Sequence, residues 1–304
     1  CAGWSYAEVL PYFRRGEDHA LGAGPYHGAG GPLPVRRVDT TRLLFEPLRA
    51  AAEAEGHRFI DDYDGADNEG IARVTVAIDA NGRRASTARA YLHPALGRPN
   101  LRAVTRAQVQ RVLIDNGRAT GVEYLHEGQR HVAHATREVV LSGGAYGSPQ
   151  MLMLSGIGPG ADLQALGIPV QRDLPGVGRN LIEHPRLGYQ LAARGRHRFA
   201  DELRLDRATA SVLKWALAGK GAFANHMCTA TILLRTDPAL DRPDTQLLCS
   251  PVRVDAHLWF PGWRAPQPPG FYITVCQLYA KSRGQVTLRS ADPGAAPRIA
   301  LNLF

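Results

Sequence analysis

The chain has 304 residues, 44% of them hydrophobic and 21% charged, which is enough for one large or two ordinary domains and excludes disorder, collagen and coiled coil. No run of about 18 apolar residues occurs, which argues against a membrane span, and the N-terminus lacks the basic-then-apolar order of a signal peptide. The formal charge of +8 is carried almost wholly by arginines spread from Arg14 to Arg298 with only short pairs such as Arg36-Arg37; a nucleic-acid surface would gather them into a patch, so no nucleic-acid partner is expected.

Cys1, Cys228, Cys249 and Cys276 form no CxxC pair and no zinc spacing, and the 11 histidines show no metal-binding helical spacing. Buried thiols in a reducing compartment, no metal and a soluble, cytoplasmic chain are expected. The first residue is Cys1 and the first methionine is Met151, so the chain is expected to be an internal piece of a longer protein.

In chain order, Ser5 and Glu8 have capping-box spacing ahead of Val9, Leu10 and Phe13, which predicts a short amphipathic helix near 5–15, kinked or limited by Pro11. Residues 16–34, rich in Gly, Pro and His, read as an ordered or lid-like surface loop outside the core. A helix opens near Pro47 and stops at Gly56. Residues 70–80 alternate weakly and read as one strand ending at Asn81-Gly82. Asn116-Gly117 between two β-rich runs predicts a hairpin over 111–125.

Glu138 to Leu141 then read as a buried strand, Ser142 to Gly147 as a glycine turn, and Ser148-Pro149 as the cap and first residue of a helix that Gly156 ends. A second short helix follows at 161–166, closed by Gly167. Beyond His184 come a helix near 209–218 and β-rich segments at 229–235, 245–249, 271–280 and 284–289 without alternating helices, which predicts an antiparallel or mixed sheet.

A glycine turn between a strand and a helix is where dinucleotides bind, because glycine lets the backbone approach the ligand and the helix offers free amides. Residues 141–150 have that layout; a tight turn without a ligand is the alternative reading. Gly156-Ile157-Gly158-Pro159-Gly160-Ala161 matches GxGxxG/A formally, but it follows a helix and Pro159 removes an amide, so it reads as a decoy. No GxSxG elbow, HExxH or P-loop is present. His184, before Pro185, draws attention, although a structural role is the simpler reading.

The stretch from Ser142 through Pro149 to Ser155-Gly156-Ile157-Gly158-Pro159 resembles the second signature of the glucose-methanol-choline (GMC) flavin oxidoreductases, and within them the choline-dehydrogenase-like alcohol dehydrogenases. Gly3-Trp4-Ser5-Tyr6, His27-Gly28, Ala90-Tyr91-Leu92, Leu174-Pro175-Gly176-Val177-Gly178-Arg179-Asn180-Leu181 and Ser290-Ala291-Asp292-Pro293 are similar to further landmarks in the same order. The resemblance implies an α/β protein, α+β overall: an incomplete Rossmann-like FAD domain interleaved with a substrate domain on a mostly antiparallel sheet. It implies residues 1–32 as a linker or lid, 33–97 and 183–304 as substrate domain, and 98–182 as FAD domain.

It further implies FAD as cofactor, a small-molecule alcohol as substrate, and hydride transfer from the alcohol carbon to the flavin with a histidine as base. The family's N-terminal GxGxxG element and its C-terminal histidine segment are not found, so catalytic residues are expected outside these 304, which alone are expected to be inactive. The adenosine contacts carried over are the main chain of Val109 and the turn Ser142, Gly143, Gly144 and Ala145. Asn225 stands where the family has Ser-Asn, but Cys228 and Thr229 replace the Glu and Ala beyond it; Glu183 replaces a usual Asp, and Leu248 a frequent histidine. An uncharged alcohol is therefore expected ahead of choline. A non-catalytic remnant that binds no flavin is the alternative from another class, an arginine-rich nucleic-acid binder a third; peripheral membrane association of the parent enzyme stays open.

Overall fold

The computed structural model describes residues 2–41, 43–195, 198–224 and 227–303. In chain order the elements are α1 (Tyr6–Gly16), β1 (Glu17–His19), β2 (Leu33–Arg37), α2 (Phe45–Ala54), β3 (Gly70–Arg73), β4 (Thr75–Val76), a π-helical turn (Ala88–Leu92) and α3 (His93–Ala95). Then follow β5 (Ala107–Asp115), β6 (Arg118–His126), β7 (Gln129–His134), α4 (Gly144–Leu154), β8 (Ile157–Gly158), α5 (Gly160–Ala165) and β9 (Arg172–Asp173). The rest are β10 (Arg186–Ala192), α6 (Arg198–Glu202), α7 (Leu205–Ala218), β11 (Ala230–Leu234), β12 (Thr245–Ser250), β13 (Gly270–Gln277), β14 (Gln285–Thr287) and β15 (Arg298–Ala300). Helices mix with mostly antiparallel sheets, the α/β class in its broad sense. No described helix is long and apolar enough to cross a membrane.

The chain divides into two compact units, Cys1–Leu101 with Arg186–Tyr279, and Arg102–Pro185 with Ala280–Phe304. The first is built on an antiparallel sheet in the order β10-β13-β12-β11-β3. On it α2 sets Phe45 and Ala52 against Ile71, Ala230, Ile232 and Cys249. Removing these apolar side chains from water is what holds the helix down, at about 1.5–3 kcal/mol for each large one. β10, which the hydropathy pattern did not show, forms the exposed edge of this sheet.

Two expectations in this unit are corrected and a third is met. Residues 70–80 are not one strand: β3 pairs with β11 and β4 with β2, and between them the Val74 carbonyl accepts the Val38 N–H at 2.9 Å. The helix expected near 5–15 forms as α1, and Pro11 does not confine it to its first turns: it runs on to Gly16, since a missing N–H in mid-helix forfeits one bond and the Glu8 carboxylate anchors the start by accepting from Ser5 N, Ser5 Oγ and Gly3 N. Residues 16–34 are not a lid-like surface loop either. β1 pairs in parallel with β2, and His19 and His27 are buried at 4% and 8% exposure.

The second unit holds the antiparallel meander β5-β6-β7, whose hairpin turns at Asn116 (φ 49°) and Gly117 (φ 77°) as the Asn-Gly pair predicts. Its core gathers Met153, Leu163 and Ile168. The pair β14-β15 joins this unit through bonds from Val286 N to the Gly178 carbonyl at 2.7 Å and between Leu181 and Gly284. Glu138 to Leu141, read as a buried strand, pairs with no described strand, and Val140 is 73% exposed; an apolar run becomes a strand only beside a partner.

Candidate functional site: the glycine turn before α4

The turn and Val109 belong to the second unit. Helix α4 begins at Gly144, not at Pro149 as the Ser148-Pro149 pair predicted. Ser148 does not cap forward: its Oγ accepts the Gly143 N–H at 3.0 Å, so the hydroxyl folds the glycine stretch into the helix's own first turn. Pro149 then lies inside the helix, and its missing N–H leaves the Ala145 carbonyl without the usual i+4 donor. Gly144 sits at φ +75°, where only glycine is unstrained, and a side chain there would meet nothing within 4 Å.

Ser142, Gly143, Gly144 and Ala145 are all exposed. The first amides of a helix have no carbonyl of their own, and of those in this turn Gly143's is the one that Ser148 takes. The result is an exposed turn in which Gly144 and Ala145 are among the residues whose amides have no carbonyl within the helix to bond.

Val109 is half-buried in β5, opposite Tyr124 and next to a bulge before Arg111. Because β5 is the edge of its sheet, its outer side presents main-chain groups. One of them, Val112 N, donates to Ser155 Oγ at 2.8 Å, which ties β5 to the end of α4. At the other end, Gln108 donates to the Pro293 carbonyl at 3.2 Å and Gln150 to that of Ala295 at 3.0 Å. β5 and α4 thus run alongside each other in the same sense, with Val109 and the glycine turn toward the same end. Sequence reasoning missed Gln108, Gln150 and Ser155, whose partners lie 185, 145 and 43 residues away.

The formal GxGxxG at Gly156 to Ala161 is committed to the fold. Ile157–Gly158 pairs with Arg172–Asp173, and the Gly160 N–H donates to the Asp173 carboxylate at 2.9 Å. His184 is exposed. Asn225 lies outside the described residues. Nearby Cys228 is buried, and burial pushes its thiol pKa up to about 11.

An open glycine turn at the start of a helix, packed beside an edge strand in a chain of mixed helices and sheets, is the kind of place where nucleotide cofactors bind. The profile of the GMC oxidoreductase family matches residues 1–186, more than half of the chain, and the chain belongs to that family. FAD is the family's cofactor.

Mitochondrial choline dehydrogenase of Mus musculus is 42% identical over 305 residues, an alignment covering 98% of this chain and 49% of that protein. Oxygen-dependent choline dehydrogenase of Rhizobium johnstonii is 40% identical over 301 residues, covering 99% and 54%. The chain therefore spans about half the length of these relatives. Among solved structures, pyridoxine 4-oxidase from Mesorbium loti superposes with a TM-score of 0.79 at 26% identity, covering 100% of this chain and 55% of that one. Formate oxidase reaches 0.84 at 23% identity, covering 99% and 58%, a likeness of fold alone.

The exposed turn is compatible with a nucleotide cofactor. A side chain at Gly144 would meet nothing within 4 Å, which leaves room for a ligand against the backbone there.

Proposed function

We propose that this chain is part of an FAD-dependent enzyme that oxidises the CH–OH group of an alcohol, and that the Ser142–Ala145 turn and the Val109 main chain hold the adenosine end of FAD. The observation that carries the reading is the open, glycine-only turn at Gly144 inside the stretch that resembles the family's second signature. When bound, FAD supplies the hydride acceptor.

This chain's own residues bind and orient. The Gly144 and Ala145 amides donate to ligand oxygen or nitrogen, the Ala145 carbonyl accepts, and Ser148 keeps Gly143 turned so that the face stays open. Unit two, with Val109 and the turn, is assigned to the flavin side, and the stretch 280–304 that packs with it goes along; unit one is assigned to the substrate side. The resemblance puts the catalytic base in a segment not found among these residues, so the 304-residue chain by itself is inactive on this reading. A cytoplasmic location is part of the same proposal.

For the substrate, an uncharged primary or secondary alcohol is the first choice. Where the family carries a carboxylate able to attract a quaternary ammonium, this chain has Cys228, a thiol that burial keeps neutral. The choline dehydrogenases among its relatives make choline the competitor to test against it.

The test uses a polypeptide carrying this chain with its flanking segments. Gly144→Val is expected to lower the FAD content at least several-fold while Gly147→Ala leaves it near wild type, and simple alcohols are expected to reduce an acceptor dye faster than choline. Full FAD occupancy in Gly144→Val, or a yellow and active 304-residue chain, refutes the assignment.

A further inference from the structure

Two buried histidines of the first unit, His19 on β1 and His27 in the loop before β2, lie face to face with ring centroids 3.7 Å apart and planes 6° from parallel. His27 has a carboxylate at each ring nitrogen: Glu17 Oε1 stands 3.1 Å from Nδ1 and Asp62 Oδ2 3.0 Å from Nε2. A neutral imidazole has one N–H and would turn a lone pair on the second carboxylate, so only the imidazolium donates to both. His19 is the opposite case. Its Nδ1 accepts the Leu21 N–H at 3.2 Å, which requires that nitrogen to carry no proton.

The surroundings hold this difference in place. Glu17 from β1, Asp62 and Asp64 from the loop after α2, and Arg37 from β2 face the pair, while Arg14 from α1 donates to the His27 carbonyl at 3.4 Å. Burial lowers the His27 pKa, but the bonds and charges of Asp62 and Glu17 outweigh it and leave the ring above its ordinary value. Burial, then the His27 charge, hold His19 below its own. Burial, then the neighbouring Asp62 charge, raise Asp64.

We propose that this stack of one charged and one neutral imidazole is a pH-sensitive clasp that fastens residues 14–37 to the loop at 58–64 and opens when either ring changes its charge. Losing the His27 proton turns a lone pair on a carboxylate. Adding a proton to His19 breaks the Leu21 bond and sets two like charges 3.7 Å apart.

The two limbs have opposite signs. His27, raised, contributes stability that is complete below its unfolded value of about 6.5 and is lost as pH rises through its folded pKa. His19, lowered, contributes stability that is complete above about 6.5 and is lost as pH falls toward its folded pKa. The clasp is therefore tightest near the ordinary imidazole pKa and loosens on both sides.

The test is long-range proton–nitrogen NMR of the histidine-labelled chain together with hydrogen exchange of residues 14–37, referenced to β11–β13 and corrected for intrinsic rates. Near pH about 6.5, His27 is expected to show two protonated nitrogens and His19 an unprotonated Nδ1. Protection of 14–37 is expected to fall at least several-fold toward both extremes; His27→Gln removes the alkaline limb and His19→Phe the acid one. Should either variant fail to fold, Asp62→Asn is expected to bring the His27 titration down toward the ordinary value. Coincident, ordinary titration of both rings, an exchange profile identical in wild type and variants, or an unmoved His27 in Asp62→Asn overturns the proposal.

Discussion

Ser155 Oγ accepts the Val112 main-chain N–H at 2.8 Å and gives its own hydrogen to the Met151 carbonyl at 2.6 Å, so one hydroxyl pins the end of α4 to the outer edge of β5. Val112 is only 7% exposed. Ser155→Ala leaves its N–H buried without an acceptor and is expected to cost about 1–3 kcal/mol, read as a lower denaturation midpoint in urea. Ser155→Thr keeps the hydroxyl and is expected to lose less. An unchanged midpoint in Ser155→Ala would mean that water replaces the bond.

Phe45 is 1% exposed, meets Phe59 edge-on at 6.1 Å between centroids, and lies under the Arg73 guanidinium at 4.9 Å. Phe45→Ala opens a cavity between α2 and the sheet and is expected to cost about 3–5 kcal/mol, with Phe45→Leu costing clearly less. Thermal unfolding followed by circular dichroism ranks the three proteins.

Burial pushes the Cys249 thiol to about 12, and Cys228 to about 11. At mildly alkaline pH neither forms thiolate, the species that reacts. Alkylation mapped by mass spectrometry is expected to leave both unmodified in the native chain and to modify both in denaturant. Fast native labelling of Cys249 would show that β12 opens locally.

Local signals in the sequence were enough for some elements. The Asn116-Gly117 turn, the Gly167 and Gly219 stops and the Ser5-Glu8 start depend on nearest neighbours, and they form where the residues predict them. Elements that depend on a distant partner were not legible. Glu138 to Leu141 has the composition of a strand but no strand beside it, and the run at 70–76 splits because Val74 bonds to Val38. Ser148-Pro149 looks like a helix start, yet the hydroxyl reaches back to Gly143 and moves the start to Gly144. His27 was hidden among glycines because one of its carboxylates comes from Asp62, 35 residues on. In the candidate site, the turn itself was readable, whereas the Gln108 and Gln150 bonds that orient β5 and α4 reach segments near the far end of the chain.

The return of residues 280–304 to the unit begun at Arg102 also bears on how the chain matures during synthesis. The Gly178 carbonyl and Leu181 find their partners on Val286 and Gly284, after all of Arg186–Tyr279 has been made. At about 5–20 residues per second, translation leaves Met153, Leu163 and Ile168 under an incomplete cover for roughly 5–20 s. During that interval a nascent chain leaves these core side chains open to chaperone capture and aggregation, and slowing translation of residues 186–279 lengthens it.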